Sequence, residues 1–422
     1  MAASDPAPTV TVMRSRTQDE GTGVVLSGGT GFLGGEILVR LLERTTDPVY
    51  VLVRARDESE AASRLRATLT GLTGDAGAWT GRAIAIPADL TQEGLGLRRD
   101  RLEWLAERSS WVLHCAASVS FTLGLPESRA INVEGTRRML ELAGLAHDRG
   151  ALRCFTHIST AYVAGTHRGT FRERDLHVGQ RWRNPYERSK LEAETIVRER
   201  GDSLPVQVFR PSIIVGDSKT GWTPAFNVLY WPLRAFARGN YPVLPADRHS
   251  PVDVVPVDYV ADAVLELGGR PGSSFHLTAG ERASSVGGLV HLACEHLDRP
   301  PPRLLPPALY RRLLHPLLVR TGSERRRQAL RRSEPFFPYF SMATRYDNSA
   351  ARAALEPSGV EAPALRSYFG ALIGYALRAE WGRNPQPRHR LLAPPEPAAQ
   401  RPMRHPEGRR RPPTREHEIV RR

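Results

Sequence analysis

"GVVLSGGTGFLGGEILVRLLERTTDPVYVLVRARD" occupies residues 23–57. "GVVLS" reads as a short buried strand, and "GGEILVRLLER" places Ile37, Leu38, Leu41 and Leu42 at helical spacing. "PVYVLVR" is a second apolar run of strand length. Strand, glycine turn, helix and strand make a βαβ unit. Gly28 allows a tight reversal, Gly31 lets a phosphate approach the backbone, and Gly34 lets helix and strand pack closely. The helix start adds free N–H groups and the positive end of its dipole. Without its flanks the glycine spacing would mean no more than a tight turn. Here a strand and a helix stand on either side.

Outward from this unit the pattern repeats in "RAIAIPADL" (82–90), "WVLHCAAS" (111–118), "LRCFTHIST" (152–160) and "LPVQVFRPSIIVG" (204–216). Apolar strands separated by helical stretches argue for a parallel sheet covered on both faces. The expected fold is α/β: a doubly wound Rossmann-type sheet over 21–285, with substrate-domain insertions after 215. A smaller, mainly helical C-terminal substrate part follows over 286–382.

Residues 1–20 read as a loose leader. Residues 383–422 hold 11 arginines against four glutamates, with many prolines, and read as a disordered tail. The formal charge of +14 therefore says little about the folded part, and no folded nucleic-acid motif accompanies it. The three cysteines, Cys115, Cys154 and Cys294, lack metal-ligand spacing, and no metal is expected. They suit a reduced compartment, and with no signal segment or long apolar run a cytoplasmic location is expected.

Only two of the 59 basic side chains are lysines. Lys190 follows Tyr186 by four residues in "NPYERSK" (184–190), which puts both on one face of a helix opening at Pro185. An ammonium beside a tyrosine is expected to lower the phenol's pKa. As a compact charge on a flexible stem it can also reach ribose hydroxyls, which a guanidinium does less well. Ser159 and Thr160 close the strand "FTHIST", at the sheet edge where α/β ligands bind. Either hydroxyl can donate to a substrate carbonyl and share its proton with Tyr186. The plain alternative is a hydroxyl that satisfies a turn.

At the end of the second strand, Arg54 and Arg56 stand where an NAD site carries an acid. Arginine there suits a 2′-phosphate, so NADPH is the expected cofactor. Asp57 and Glu58 come slightly late for the ribose acid and leave NAD as the alternative.

These motifs, with "ADL" (88–90), "HCAA" (114–117), "NVEGT" (132–136) and "RPSIIVG" (210–216), resemble the extended short-chain dehydrogenase/reductases, in that family's order. "HISTAYVAGTHRG", "RPSIIVGDSKTGW", "VDVVPVDYVADAV" and "FPYFSMATRYDNSAARAAL" are similar to the acyl-thioester reductase branch, the male-sterility or fatty acyl-CoA reductase type. The resemblance implies Thr160, Tyr186 and Lys190 as the catalytic set, with Ser159 the second choice of hydroxyl. It implies a cofactor held by Gly28, Thr30, Gly31, Phe32, Leu33 and Gly34 at the pyrophosphate and by Arg54 at the 2′-phosphate. Asp89 and Leu90 would flank the adenine, Ala116 and Ala117 the nicotinamide side, and Pro211, Ser212 and Ile213 would close over it. Asn132 resembles the superfamily's asparagine.

The implied reaction is NADPH-dependent reduction of an acyl thioester, on coenzyme A or a carrier protein, to aldehyde, with the alcohol left open as the product of a second hydride transfer. "LLPPALYRRLLHPLLVR" (304–320) is expected to line an acyl entrance, rest on a membrane surface, or form an ordinary surface helix. Two other readings keep the fold. One is an enzyme acting on a nucleotide sugar or hydroxysteroid with tightly held NAD. The other is a non-catalytic dinucleotide-binding scaffold.

Overall fold

The computed structural model describes residues 22–239, 243–310, 312, 324 and 334–392. The expected leader 1–20, most of 311–320 and the tail from 393 onward lie outside the described residues.

The sheet is built from β1 (Gly23–Ser27), β2 (Val49–Val53), β3 (Ala83–Pro87), β4 (Ser109–His114) and β5 (Cys154–Ile158). Short β6 (Gly169–Phe171) lies outside it, and β7 (Val206–Pro211) returns to it. Four short strands follow: β8 (Ile213–Val215), β9 (Val243–Pro245), β10 (Pro251–Val252) and β11 (Val254–Pro256). The seventh strand of the sheet is β12 (Ser274–Leu277). The spatial order is β12-β7-β5-β4-β1-β2-β3, and every neighbouring pair is parallel. Strand order therefore diverges in both directions from β1 and β4. Such a switch point opens a crevice at the carboxyl ends of the strands.

Both faces are covered. On one, α1 (Phe32–Arg44), α2 (Glu58–Thr73) and α7 (Val257–Leu267) pack Ile37, Leu41, Leu65, Val260 and Val264 against β1 and β2. On the other, α3 (Arg99–Glu107), α4 (Leu125–Asp148) and α5 (Pro185–Glu199) bring Leu105, Met139, Ala143 and Val197 onto Val112, Phe155 and Val208. Burial on both faces explains why these strands read as continuous apolar runs rather than alternating ones.

A third core joins α6 (Tyr230–Ala237), α8 (Val286–Leu297) and the helix Leu365–Arg378. The sequence boundary at 285/286 is crossed repeatedly. Strand β13 (Arg303–Leu305) pairs with β9, and β14 (Thr344–Tyr346) pairs with β6. Ala351, Leu355 and Ala362 return to the core of the sheet. Residues 383–392, assigned to the tail by composition, also fold back. The Arg388 Nε lies 2.8 Å from the Glu36 carboxylate of α1, and the Trp222 indole donates to the Gln386 carbonyl at 2.9 Å. Composition averages over a segment, and one arginine with a buried acid to meet is enough to anchor it. Among the described residues no helix is long and apolar enough to cross a membrane.

Candidate active site

The glycine turn lies against the loop after β4. Gly28 has φ +77, and a Cβ on it would come within 2.7 Å of the Ala116 nitrogen. A Cβ on Gly34 would come within 2.1 Å of the Gly28 carbonyl oxygen. Both positions therefore need glycine for close approach. Gly31 is the N-cap of α1, with no side chain capping the helix and no acid in its first turn. The helix start is left open to an anion, and the residues present fit a dinucleotide pyrophosphate. Thr30 is half-buried in the turn. Phe32 packs edge-on to Trp222, and Leu33 is turned into the core, leaving its backbone to face a ligand.

The far end of the crevice is an open cleft lined by Arg54, Arg64, Arg98, Arg101 and Asp89. The Arg64 guanidinium donates to the Arg54 carbonyl. Arg56 lines the same cleft but is 88% exposed and pairs with Glu60 at 2.9 Å. Asp57, the late acid, caps α2 by accepting from the Glu60 amide at 2.8 Å. Asp89 accepts from the Thr91 amide and hydroxyl. Leu90 packs toward Gly135 of α4.

The loop after β4, the expected nicotinamide side, is held by a buried chain of hydrogen bonds. The Thr136 hydroxyl donates to the Asn132 carbonyl at 2.7 Å, so it accepts from His114 Nε2, 3.0 Å away. His114 Nδ1 then accepts from the Ser27 hydroxyl at 2.7 Å, which accepts from the Ala116 amide at 3.2 Å. This fixes Ala116, and through it Ala117, beside the glycine turn. The Asn132 side chain grips Ser118 through both its amide and its carbonyl and donates to the Ser189 hydroxyl, tying α4 to α5.

Asn184 caps α5 by accepting from the Glu187 amide at 3.0 Å, with Pro185 following it. Tyr186 and Lys190 then project from one face of the helix. The Tyr186 phenol has the Thr160 hydroxyl as its polar neighbour. Thr160 Oγ1 also donates to the Pro211 carbonyl at 3.4 Å and accepts from the Tyr162 amide at 3.2 Å. Burial pushes the Tyr186 phenol up to about 12, opposed by the Thr160 hydroxyl. Burial thus outweighs any lowering, and Lys190 is not among the groups that act on this phenol. The Lys190 amine is turned away, donating to the Ile158 carbonyl at 2.8 Å. Burial brings that amine down to about 8.

Ser159 is drawn elsewhere. Its hydroxyl donates to Glu194 at 2.7 Å, and Glu194 in turn pairs with the fully buried Arg210 at 2.7 Å. Ser159 therefore fastens β5 to α5 and β7 and does not point with Thr160. Ser212 is buried with its side chain beside Asp253, and its amide donates to the Leu277 carbonyl at 3.3 Å.

Near Thr160 and Tyr186 runs an apolar slot lined by Tyr162, Ile213, Leu229, Leu289, Tyr339 and Tyr346, among others. Tyr339 comes from the segment after residue 333. Its hydroxyl donates to the buried Glu187 at 2.7 Å, and its ring stacks on Phe121, which packs at a tilt on Tyr186 with centroids 5.6 Å apart. Nothing local to "FPYFS" announces this contact, because its partner lies 152 residues away.

Residues 26–264 match the family described as male sterility protein. The chain belongs to that family. Human fatty acyl-CoA reductase 1 is 30% identical over 282 residues, 58% of this chain and 54% of that protein. The peptide synthetase FrzA of a Cladobotryum species is 33% identical over 280 residues, 62% of this chain and 26% of its own length. The chain thus spans about half or less of these relatives. A crystal structure of the terminal R domain from the myxalamid PKS-NRPS pathway superposes with a TM-score of 0.73. The two are 26% identical, and the match covers 87% of this chain and 93% of that one. A Bacillus cereus UDP-glucuronic acid 4-epimerase at 16% identity and TM-score 0.59 shares the fold alone.

Proposed function

We propose that the protein reduces acyl thioesters with NADPH, releasing thiol and aldehyde. The observation that carries this is Tyr186 beside the Thr160 hydroxyl, joined through the Phe121 and Tyr339 rings to the apolar slot. Family membership and the named activity of the acyl-CoA reductase relatives support it. The glycine turn and the open start of α1 would hold the pyrophosphate, and Arg54 with Arg64 and Arg101 the 2′-phosphate. With Asp57 spent on capping α2 and Glu58 facing Arg101 at 3.6 Å, the end of β2 offers Arg54 to the cleft, which favours NADPH over NADH.

When bound, the reduced nicotinamide supplies a hydride to the carbonyl carbon. Thr160 and Tyr186 donate hydrogen bonds to the carbonyl oxygen and stabilise the charge that develops there. A phenol held near 12 keeps its proton at neutral pH, so Tyr186 serves as the donor that delivers it. Lys190 would hold the ribose. The slot would take the acyl chain and keep water from the reacting carbon.

Purified protein is mixed with NADPH and a panel of acyl thioesters, on coenzyme A and on a carrier protein, while cofactor loss and free thiol are followed together. Equal loss of NADPH and release of thiol is the expected result, and product analysis distinguishes aldehyde from alcohol. Absence of turnover on both carriers, or NAD co-purifying with the protein, overturns the reading.

A further inference from the structure

Directly beneath the catalytic pair, the Lys190 amine has two partners on β5. It donates to the Ile158 carbonyl at 2.8 Å and faces His157 Nε2 at 3.3 Å. His157 is fully buried. An ammonium carries only donors, so Nε2 must accept and the ring proton must sit on Nδ1. Nδ1 has no partner among the described residues. A buried donor left unpaired is costly to the fold, and such exceptions call for a reason. Here the tautomer that orphans Nδ1 is the one that gives Lys190 its acceptor.

We propose that His157 is a positioning residue that holds Lys190 as an ammonium and aims its remaining N–H toward the cofactor. The inference rests on the reading that Lys190 serves a bound nicotinamide nucleotide. The groups facing Lys190 are few. His157 approaches from β5, Cys115 lies just past β4, and Glu194 sits one turn on along α5. The His114 ring lies behind His157, centroids 5.4 Å apart, its own nitrogens occupied by Ser27 and Thr136. Glu194 is committed to Arg210 and Ser159, and burial pushes the Cys115 thiol up to about 12. His157 is thus the side chain that hydrogen-bonds the Lys190 amine directly.

The test uses the two lysines of the chain. Protein with isotope-labelled lysine gives two side-chain signals by NMR, assigned with Lys219→Arg. Each is titrated in wild type, His157→Leu and His157→Gln, with His157→Phe replacing the leucine variant if that does not fold. Losing an acceptor to a charged donor lowers the Lys190 midpoint by about one unit. Glutamine, which retains an acceptor, restores it. NADPH binding, followed by its fluorescence, weakens at correspondingly lower pH in the leucine variant. A midpoint that does not move in His157→Leu, or that falls equally in His157→Gln, overturns the proposal. Because the titration needs no turnover, a protein that reduces no thioester yet shows the shift defeats the functional reading and leaves this one standing.

Discussion

Tyr186, Lys190 and Glu194 stand one turn apart along α5 and face the sheet with three separate tasks. Tyr186→Phe removes the proton donor and is expected to lower kcat at least about 100-fold while leaving NADPH affinity intact, which steady-state kinetics with fluorescence binding checks. Lys190→Arg is expected to weaken NADPH binding and turnover together, because the fully buried site has no room for a guanidinium fork. Unchanged kinetics would refute a cofactor role. Ser159→Ala separates the two neighbouring hydroxyls. It deprives Glu194 of one hydrogen bond and should cost about 1–2 kcal/mol in denaturant unfolding, with kcat nearly unchanged. Thr160→Val should instead cost about 100-fold or more in kcat.

At the scale of elements, β1, its glycine turn and α1 act as one cradle. Gly34→Ala places a methyl against the Gly28 carbonyl at 2.1 Å, backbone that cannot swing aside. NADPH affinity by fluorescence titration is expected to drop more than the unfolding midpoint does. This cradle and the α5 pair were legible in the sequence because both are local: a strand, three glycines and a helix, or two side chains at i and i+4. The diversion of Ser159 was not, since Glu194 lies 35 residues on and its partner Arg210 a further 16. The same holds for the arginine cleft. Arg54 sits at a strand end that periodicity locates, whereas Arg64, Arg98 and Arg101 reach it from two helices and a loop that only the fold brings together. Arg56 reads like Arg54 in sequence, yet Glu60 one turn on claims it.

Across the whole molecule, buried titratable groups link stability to pH. Burial drives the folded pKa of His114 and His276 down to about 3 and of His157 well below the ordinary value. Between about 6.5 and those values the unfolded chain binds protons that the folded chain does not, so stability falls as pH falls. The three together should cost several kcal/mol by about pH 5, read from urea midpoints across pH. Lys190 works in the same sense at the alkaline end. With its folded value near 8 it loses its proton before the unfolded lysine does, so its contribution to stability improves with rising pH above that point. Cofactor binding should weaken in the same range. The C-terminal part belongs to this whole. Residues of the segment after 333 supply Tyr339 over Glu187, and Arg388 locks onto α1, contacts that no change in local sequence texture marks.

The central claim is that hydride consumption is coupled to thioester cleavage at the Thr160–Tyr186 pair. The most direct test is a single-turnover reaction of an accepted acyl thioester with wild type and Tyr186→Phe, reading NADPH loss and thiol release on one sample. The account predicts equal amounts of both in wild type, and both slowed together in the variant. Thiol release without NADPH loss, or a variant as fast as wild type, would contradict it.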